Sequence, residues 1–174
     1  MIGASRSAGA EHPGSGGVPP DQRYPTYHQL VRIIERMHRS YLDLMRLELN
    51  RLGIDDISPV QVVMLQAIGE EEISVRDLVQ RGHYLGSNAS YNLKLLVEAG
   101  YVERSASQRD RRVARLKLSP KGRQLFLAIR RSDDEQAAAI IETEEDGRLF
   151  EGTYRTLRRL ERSWITAYDT HSRR

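Results

Sequence analysis

The sequence predicts a mainly α-helical chain with one small β-hairpin, and three observations predict it. From Thr26 onward, apolar residues recur at three- and four-residue spacing through most of the chain, the period of buried helix faces. The pairs Ser58-Pro59 and Ser119-Pro120 each supply an N-cap followed by an N1 proline, so they mark helix starts. Between those helices, "YVERSA" and "VARLKLS" flank the polar turn "SQRDRR" and read as two short strands.

Residues 1–25 are rich in Gly, Pro and Ser with almost no large apolar groups, so they are expected to form a disordered tail. Residues 26–57 hold an N-terminal helix. Leu30, Ile34, Met37, Tyr41 and Leu44, with Val31, Ile33, Met45 and Leu47 beside them, carry it to a stop near Gly53. That apolar face is too wide for a lone surface helix, which predicts dimerisation through it. A helical core is expected over 58–119. It starts with "SPVQVVMLQAIG" and continues with "SVRDLVQRG", opened by Ser74 and Asp77 as a capping box and closed at Gly82. A further helix is capped by Ser87 and ended by Gly100, with Ala89, Leu93, Leu96 and Val97 as its buried stripe. Its opposite face carries Asn88, Tyr91, Asn92 and Lys94. After the hairpin, residues 120–174 should form C-terminal dimerisation helices, one running from Pro120 to about Asp146. A last one spans about Arg148 to Ala167, with Tyr154, Leu157, Leu160 and Trp164 as its stripe.

Charge narrows the function. The chain has 174 residues and a formal net charge of only +3, yet it holds 24 Arg among its 27 basic residues. Arg104, Arg109, Arg111, Arg112, Arg115, Lys117, Lys121 and Arg123 stand against one acid, Asp110, a local balance of +7 around the hairpin. Acids gather elsewhere, at Glu70–Glu72 and from Asp133 to Asp146, where they are expected to make other surfaces negative. A concentrated basic patch on a near-neutral chain is the footprint of a polyanion binder. No stretch approaches the roughly 18 to 20 apolar residues of a membrane span, and no secretory h-region opens the chain. A cytoplasmic protein, nucleoid-associated when bound to DNA, is expected.

Other chemistries fit poorly. "GHYLGSNASYNLK" has Gly82, Gly86 and Ser87 but not the Gly-Lys-Ser/Thr of a phosphate-binding loop, and a helix rather than a strand feeds it. Asp77, His83 and Ser87 or Ser90 can be drawn as a triad, but no nucleophile elbow or oxyanion loop accompanies them, so no enzyme is expected. Histidines 12, 28, 38, 83 and 171 lack zinc-ligand spacing, and zero cysteines exclude disulfides and thiol-based peroxide sensing. Neither a metal nor a cofactor is expected. Helix, tight turn, helix and hairpin together describe a winged helix-turn-helix, whose second helix enters the major groove of double-stranded DNA. The alternative is a winged-helix module that binds protein without specific DNA binding.

The ordered run "SPVQVVMLQAIG", "SVRDLVQRG", "GSNASYNLKLLVEAGYVER", "SQRDRRVARLKLSPKGR" resembles the core of MarR-family transcriptional regulators. Asp110-Arg111-Arg112 followed by a strand and "LSPKG" is similar to the family's wing signature, with Ser119 in place of Thr. "GSNASYNLK" with "RDRR" resembles in particular an LdtR-like branch, linked by name to L,D-transpeptidase genes. The resemblance implies a ligand-responsive homodimer on a pseudo-palindromic operator, with cell-envelope or stress genes as targets. It places Ser87, Asn88, Ser90, Tyr91, Asn92 and Lys94 on the recognition helix. Arg112 would enter the minor groove with Asp110 holding it, and Arg109 or Arg111 are the alternatives for the inserted side chain. It also puts a small aromatic or anionic effector near Met37, His38, Tyr41, Met45 and Met64, although core packing is the better reading of each of these residues.

Overall fold

The computed structural model describes residues 20–82, 86–106 and 113–172. The elements are α1 (Pro20–Arg51), α2 (Pro59–Ile68), β1 (Ile73–Ser74), α3 (Val75–Gly82), α4 (Gly86–Glu98), β2 (Val102–Ala106), β3 (Ala114–Leu118), α5 (Pro120–Ile140) and α6 (Glu144–Ser172). They form a mainly helical chain with a small antiparallel sheet, as its periodicity predicts. Two compact units divide inside α1, one ending at Met45 and the other beginning at Arg46.

The first unit is the N-terminal length of α1. It begins at Pro20, six residues ahead of the expected Thr26, so the segment 20–25 assigned to the tail is helical. Pro25 lies inside that helix, where it removes one backbone donor without ending it. From residue 25 to Leu44 every residue is exposed or half-buried, and the exposed pair Arg39–Glu35, 2.6 Å apart, adds only weak support.

In the second unit α1 stops at Arg51. Gly53, at φ 67°, takes the left-handed conformation that ends helices, while Ile54 N reaches back to Leu49 O at 2.9 Å. α2 is apolar nearly all round and is the central helix, touching α3, α4, α5 and β3. Its Val62, Met64, Leu65 and Ile68 are buried with Leu78 of α3, Ala89, Leu93 and Leu96 of α4, Leu116 of β3, and Leu125 and Ile129 of α5. At its start Ser58 N donates to Gln61 Oε1 at 2.6 Å. The expected box at Ser74 is formed in full: Asp77 N donates to Ser74 Oγ at 3.0 Å and Ser74 N to Asp77 Oδ2 at 3.2 Å.

Several boundaries depart from the sequence reading. α4 begins at Gly86, so Ser87 is its second residue rather than its cap. The sheet has three strands in the order β1-β3-β2, with Ile73 opposite Leu116 and Arg104 opposite Leu116 on the other side. At two residues, β1 is too short to alternate, which is why no pattern announces it. The helix expected to continue to Asp146 ends at Ile140, and the last helix starts at Glu144 rather than Arg148. A second reciprocal box causes the break: Asp146 N donates to Thr143 Oγ1 at 3.1 Å and Thr143 N to Asp146 Oδ2 at 2.9 Å. The Thr143 hydroxyl, donating to Asp146 Oδ2 at 2.7 Å, and then the Thr143 N–H hold the Asp146 carboxyl below its ordinary value.

Candidate nucleic-acid interface

α4 is anchored by Ala89, Leu93 and Leu96, spaced four and three residues apart, with Val97 half-buried. That spacing turns Asn88, Ser90, Tyr91 and Lys94 outward, and all four are exposed. Asn92 is half-buried, and its Nδ2 donates to Asn88 O at 3.0 Å, leaving its carbonyl oxygen uncommitted by that bond. Lys94 lies 3.6 Å from Glu98 in an exposed pair that a phosphate can displace. Ser90, Lys94 and the exposed Arg104 of β2 line one cavity of about 250 Å³ between the helix and the wing stem. The side chain of Ser87, and all of Arg109, Asp110, Arg111 and Arg112, lie outside the described residues.

The basic run is less free than its count of eight implies. Arg115 Nε meets Glu72 Oε1 at 2.8 Å and its Nη2 donates to Glu72 O at 3.1 Å. Lys117 pairs with Glu103 at 2.9 Å, Lys121 with Asp56 at 2.6 Å, and Arg123 with Glu70 at 3.1 Å. Glu70 and Glu72 therefore do not make a separate negative surface, as the sequence suggested: Glu72 is tied to Arg115 of β3, and Glu70 to Arg123 and Arg130 of α5. Arg104 forms no ion pair with a described residue. Glu103 raises the pKa of the Lys117 ammonium through its hydrogen bond and charge.

A second polar cluster, which the sequence reading missed, closes the base of the hairpin. Lys121 Nζ lies 4.0 Å from the centroid of the Tyr101 ring, and Tyr101 Oη donates to Asp56 Oδ1 at 2.8 Å. Lys121 holds the Asp56 carboxyl below its ordinary range, outweighing the opposing effect of burial, while Asp56 raises Lys121. Burial, then the Asp56 bond, raises the Tyr101 phenol. "LSPKG" was the available signal, but nothing local to it names Asp56 or Tyr101 as partners.

The five residues assigned to an effector differ in exposure. Met37 and His38 are exposed, Tyr41 is half-buried, and Met45 and Met64 are fully buried. Among the described residues no group of three His, Asp or Glu side chains is placed to hold a metal, and no helix is long and apolar enough to cross a membrane.

A helix-turn-helix followed by a stapled hairpin, with a polar outer face on its second helix, defines a winged-helix DNA-binding protein. Residues 55–113 match the MarR_2 model of the MarR family. Over 147 residues the chain is 46% identical to the exopolysaccharide II synthesis transcriptional activator ExpG of Rhizobium meliloti (strain 1021), covering 84% of this chain and 76% of ExpG. The chain belongs to the MarR family of transcriptional regulators, which are not enzymes. Its fold is similar to the transcriptional regulator BldR from Sulfolobus solfataricus, with a TM-score of 0.63, 26% identity, and coverage of 79% of this chain and 99% of BldR. It is also similar to Streptococcus pneumoniae FabT in complex with DNA, with a TM-score of 0.65, 22% identity, and coverage of 79% and 98%.

Proposed function

We propose that the chain acts as a homodimer on a pseudo-palindromic DNA duplex and controls genes for extracellular polysaccharide or other envelope components. The outer face of α4 carries the reading: four polar or amphipathic side chains project from a helix whose other face is locked in the core. Ser87, Asn88, Ser90, Tyr91, Asn92 and Lys94 would meet base edges and phosphates of the major groove, where Asn reads adenine with two hydrogen bonds. Arg112, steadied by Asp110 and flanked by Arg109 and Arg111, would enter the adjacent minor groove.

The dimer reading is supported by α6, none of whose described side chains is buried although Leu149, Phe150, Tyr154, Trp164 and Tyr168 are on it. A 29-residue amphipathic helix with no buried face needs a partner, and a second copy of the chain is the common solution. The relative ExpG is described as an activator of exopolysaccharide II synthesis, which supports surface polysaccharide genes as targets. The site of action is then the cytoplasm, on the nucleoid. A small aromatic or anionic effector would release DNA only by binding the DNA-free protein more tightly than the DNA-bound one, by about 1 to 3 kcal/mol in typical cases.

Selection of bound duplexes from a random pool by the full chain, followed by footprinting, tests the proposal. Two related half-sites about 10 bp apart are expected. No enrichment, or equal affinity for every sequence, would favour the protein-interaction module instead.

A further inference from the structure

Three consecutive carbonyls at the exit of α4 are held by the first turn of α5. Lys121 Nζ donates to Ala99 O at 3.0 Å, Ser119 Oγ to Gly100 O at 2.6 Å, and Ser119 N to Tyr101 O at 3.0 Å. Gly122 completes the contact, because a Cβ there would stand 2.0 Å from Tyr101 O; only glycine lets the two backbones approach this closely. The same turn is braced internally, Gly122 N donating to Ser119 Oγ at 3.0 Å.

α4 does not need these ties to end. Gly100 sits at φ 76°, and Tyr101 N already returns to Leu96 O at 2.9 Å. The additional bonds fix where the helix end lies. Helix C-termini carry unpaired carbonyls and partial negative charge, which favour an ammonium there. Lys121 also fastens to Asp56, 65 residues away, and stacks on Tyr101. An ammonium has three donors. Two of them are committed to Asp56 and Ala99, and the group rests against the Tyr101 ring, so Lys121 is poorly placed to serve a phosphate.

We propose that the Ser119–Gly122 turn is a positioning clamp for α4 and that Lys121, without touching DNA, sets the placement of the recognition helix and hence operator affinity. The role in affinity rests on the DNA-binding reading above; the clamp itself does not. Base readout tolerates only about half an ångström of misplacement, so a helix held at its far end by α5 keeps its N-terminal side chains in register. Any displacement of α5 is delivered directly to the α4 carbonyls.

The test uses the full chain carrying Lys121→Gln or Lys121→Arg, with a duplex enriched by the native chain. Lys121→Gln is expected to weaken binding about tenfold, the loss of one charge-assisted tie, with an unchanged slope of log K against log[salt]. Lys121→Arg is expected to recover most of that loss, because a guanidinium can pair with Asp56 and stack on Tyr101. Amide exchange of Gly100 and Tyr101 in the DNA-free protein should speed up in the Gln variant and not in the Arg variant. Tyr101→Phe keeps the ring but drops the Asp56 bond, and should show a smaller change in the same direction if the Gln variant does not fold. Unchanged affinity overturns the positioning role, as does a loss accompanied by a slope about two units shallower, one for each protomer, which marks a phosphate contact. Should the native chain enrich no duplex, the DNA-binding reading fails by itself, and unchanged exchange at Gly100 and Tyr101 then overturns the clamp.

Discussion

The carboxyls of Asp133 and Asp56 are displaced in opposite directions from their ordinary pKa. Asp133 of α5 accepts a hydrogen bond from Gln66 Nε2 at 3.1 Å, yet burial first and Asp134 next raise its pKa above the ordinary 3.8. A raised folded-state pKa gives stability that is complete below 3.8 and lost as pH climbs through the folded value. Asp133→Asn, neutral throughout and still able to accept from Gln66, should therefore raise the melting temperature at pH 7.5 and add little near pH 4. An equal gain at both would show that the charge is not the cause. Asp56, held low by Lys121, contributes above the usual carboxylate range and loses that contribution as pH falls through its lowered value. At Gly122 the prediction is steric: Gly122→Ala forces a Cβ onto the Tyr101 carbonyl and should destabilise the fold by about 2 to 4 kcal/mol in denaturant titrations. On the DNA side, Arg112→Ala should cost roughly 1 to 3 kcal/mol, and wild-type binding by that variant alongside a loss for Arg111→Ala would reassign the inserted arginine.

Among elements, α3 depends most on its start. With eight residues it is too short to be stable by propensity, and the reciprocal Ser74 and Asp77 bonds close its first turn while β1 pins Ser74 opposite Arg115. Ser74→Ala should cost about 1 kcal/mol, measured as a shift of the denaturation midpoint at constant slope. The wing stem is held by Arg115 on Glu72 across 43 residues of chain. That tie takes a cation out of the pool available to phosphate and uses it to orient the hairpin.

For the whole molecule, the ion pairs change the expected salt dependence. With Arg115, Lys117, Lys121 and Arg123 facing carboxylates, the run offers Arg104 and the three arginines of the 107–112 turn to DNA. With Lys94 of α4 added, two protomers would then neutralise about ten phosphates, for a slope of log K against log[salt] near −9. A slope steeper than about −12 would mean that the paired cations also meet phosphate. The exposed apolar side of α6 predicts a dimer mass by light scattering at micromolar concentration, and a monomer would remove the basis for a palindromic site.

Local pattern determined most of the secondary structure. The Ser58-Pro59 and Ser119-Pro120 starts, the Ser74–Asp77 box, the Gly53 and Gly100 stops, the two hairpin strands and the outward polar face of α4 all follow from residues within one or two turns of each other. The Thr143–Asp146 box was equally local, but the apolar run from Pro120 reads through it, so its break at Ile140 was hidden. What the tertiary structure alone decided lies farther apart in the chain: Glu72 on Arg115, Glu70 on Arg123 53 residues away, and Asp56 with Tyr101 and Lys121. The two-residue β1 exists only because β3 offers it a ladder. Helix periods and caps are short-range sterics and hydrogen bonding, and so are written in consecutive residues. The partner of a charge is whichever group the folded chain brings within reach, and no spacing in the sequence encodes it.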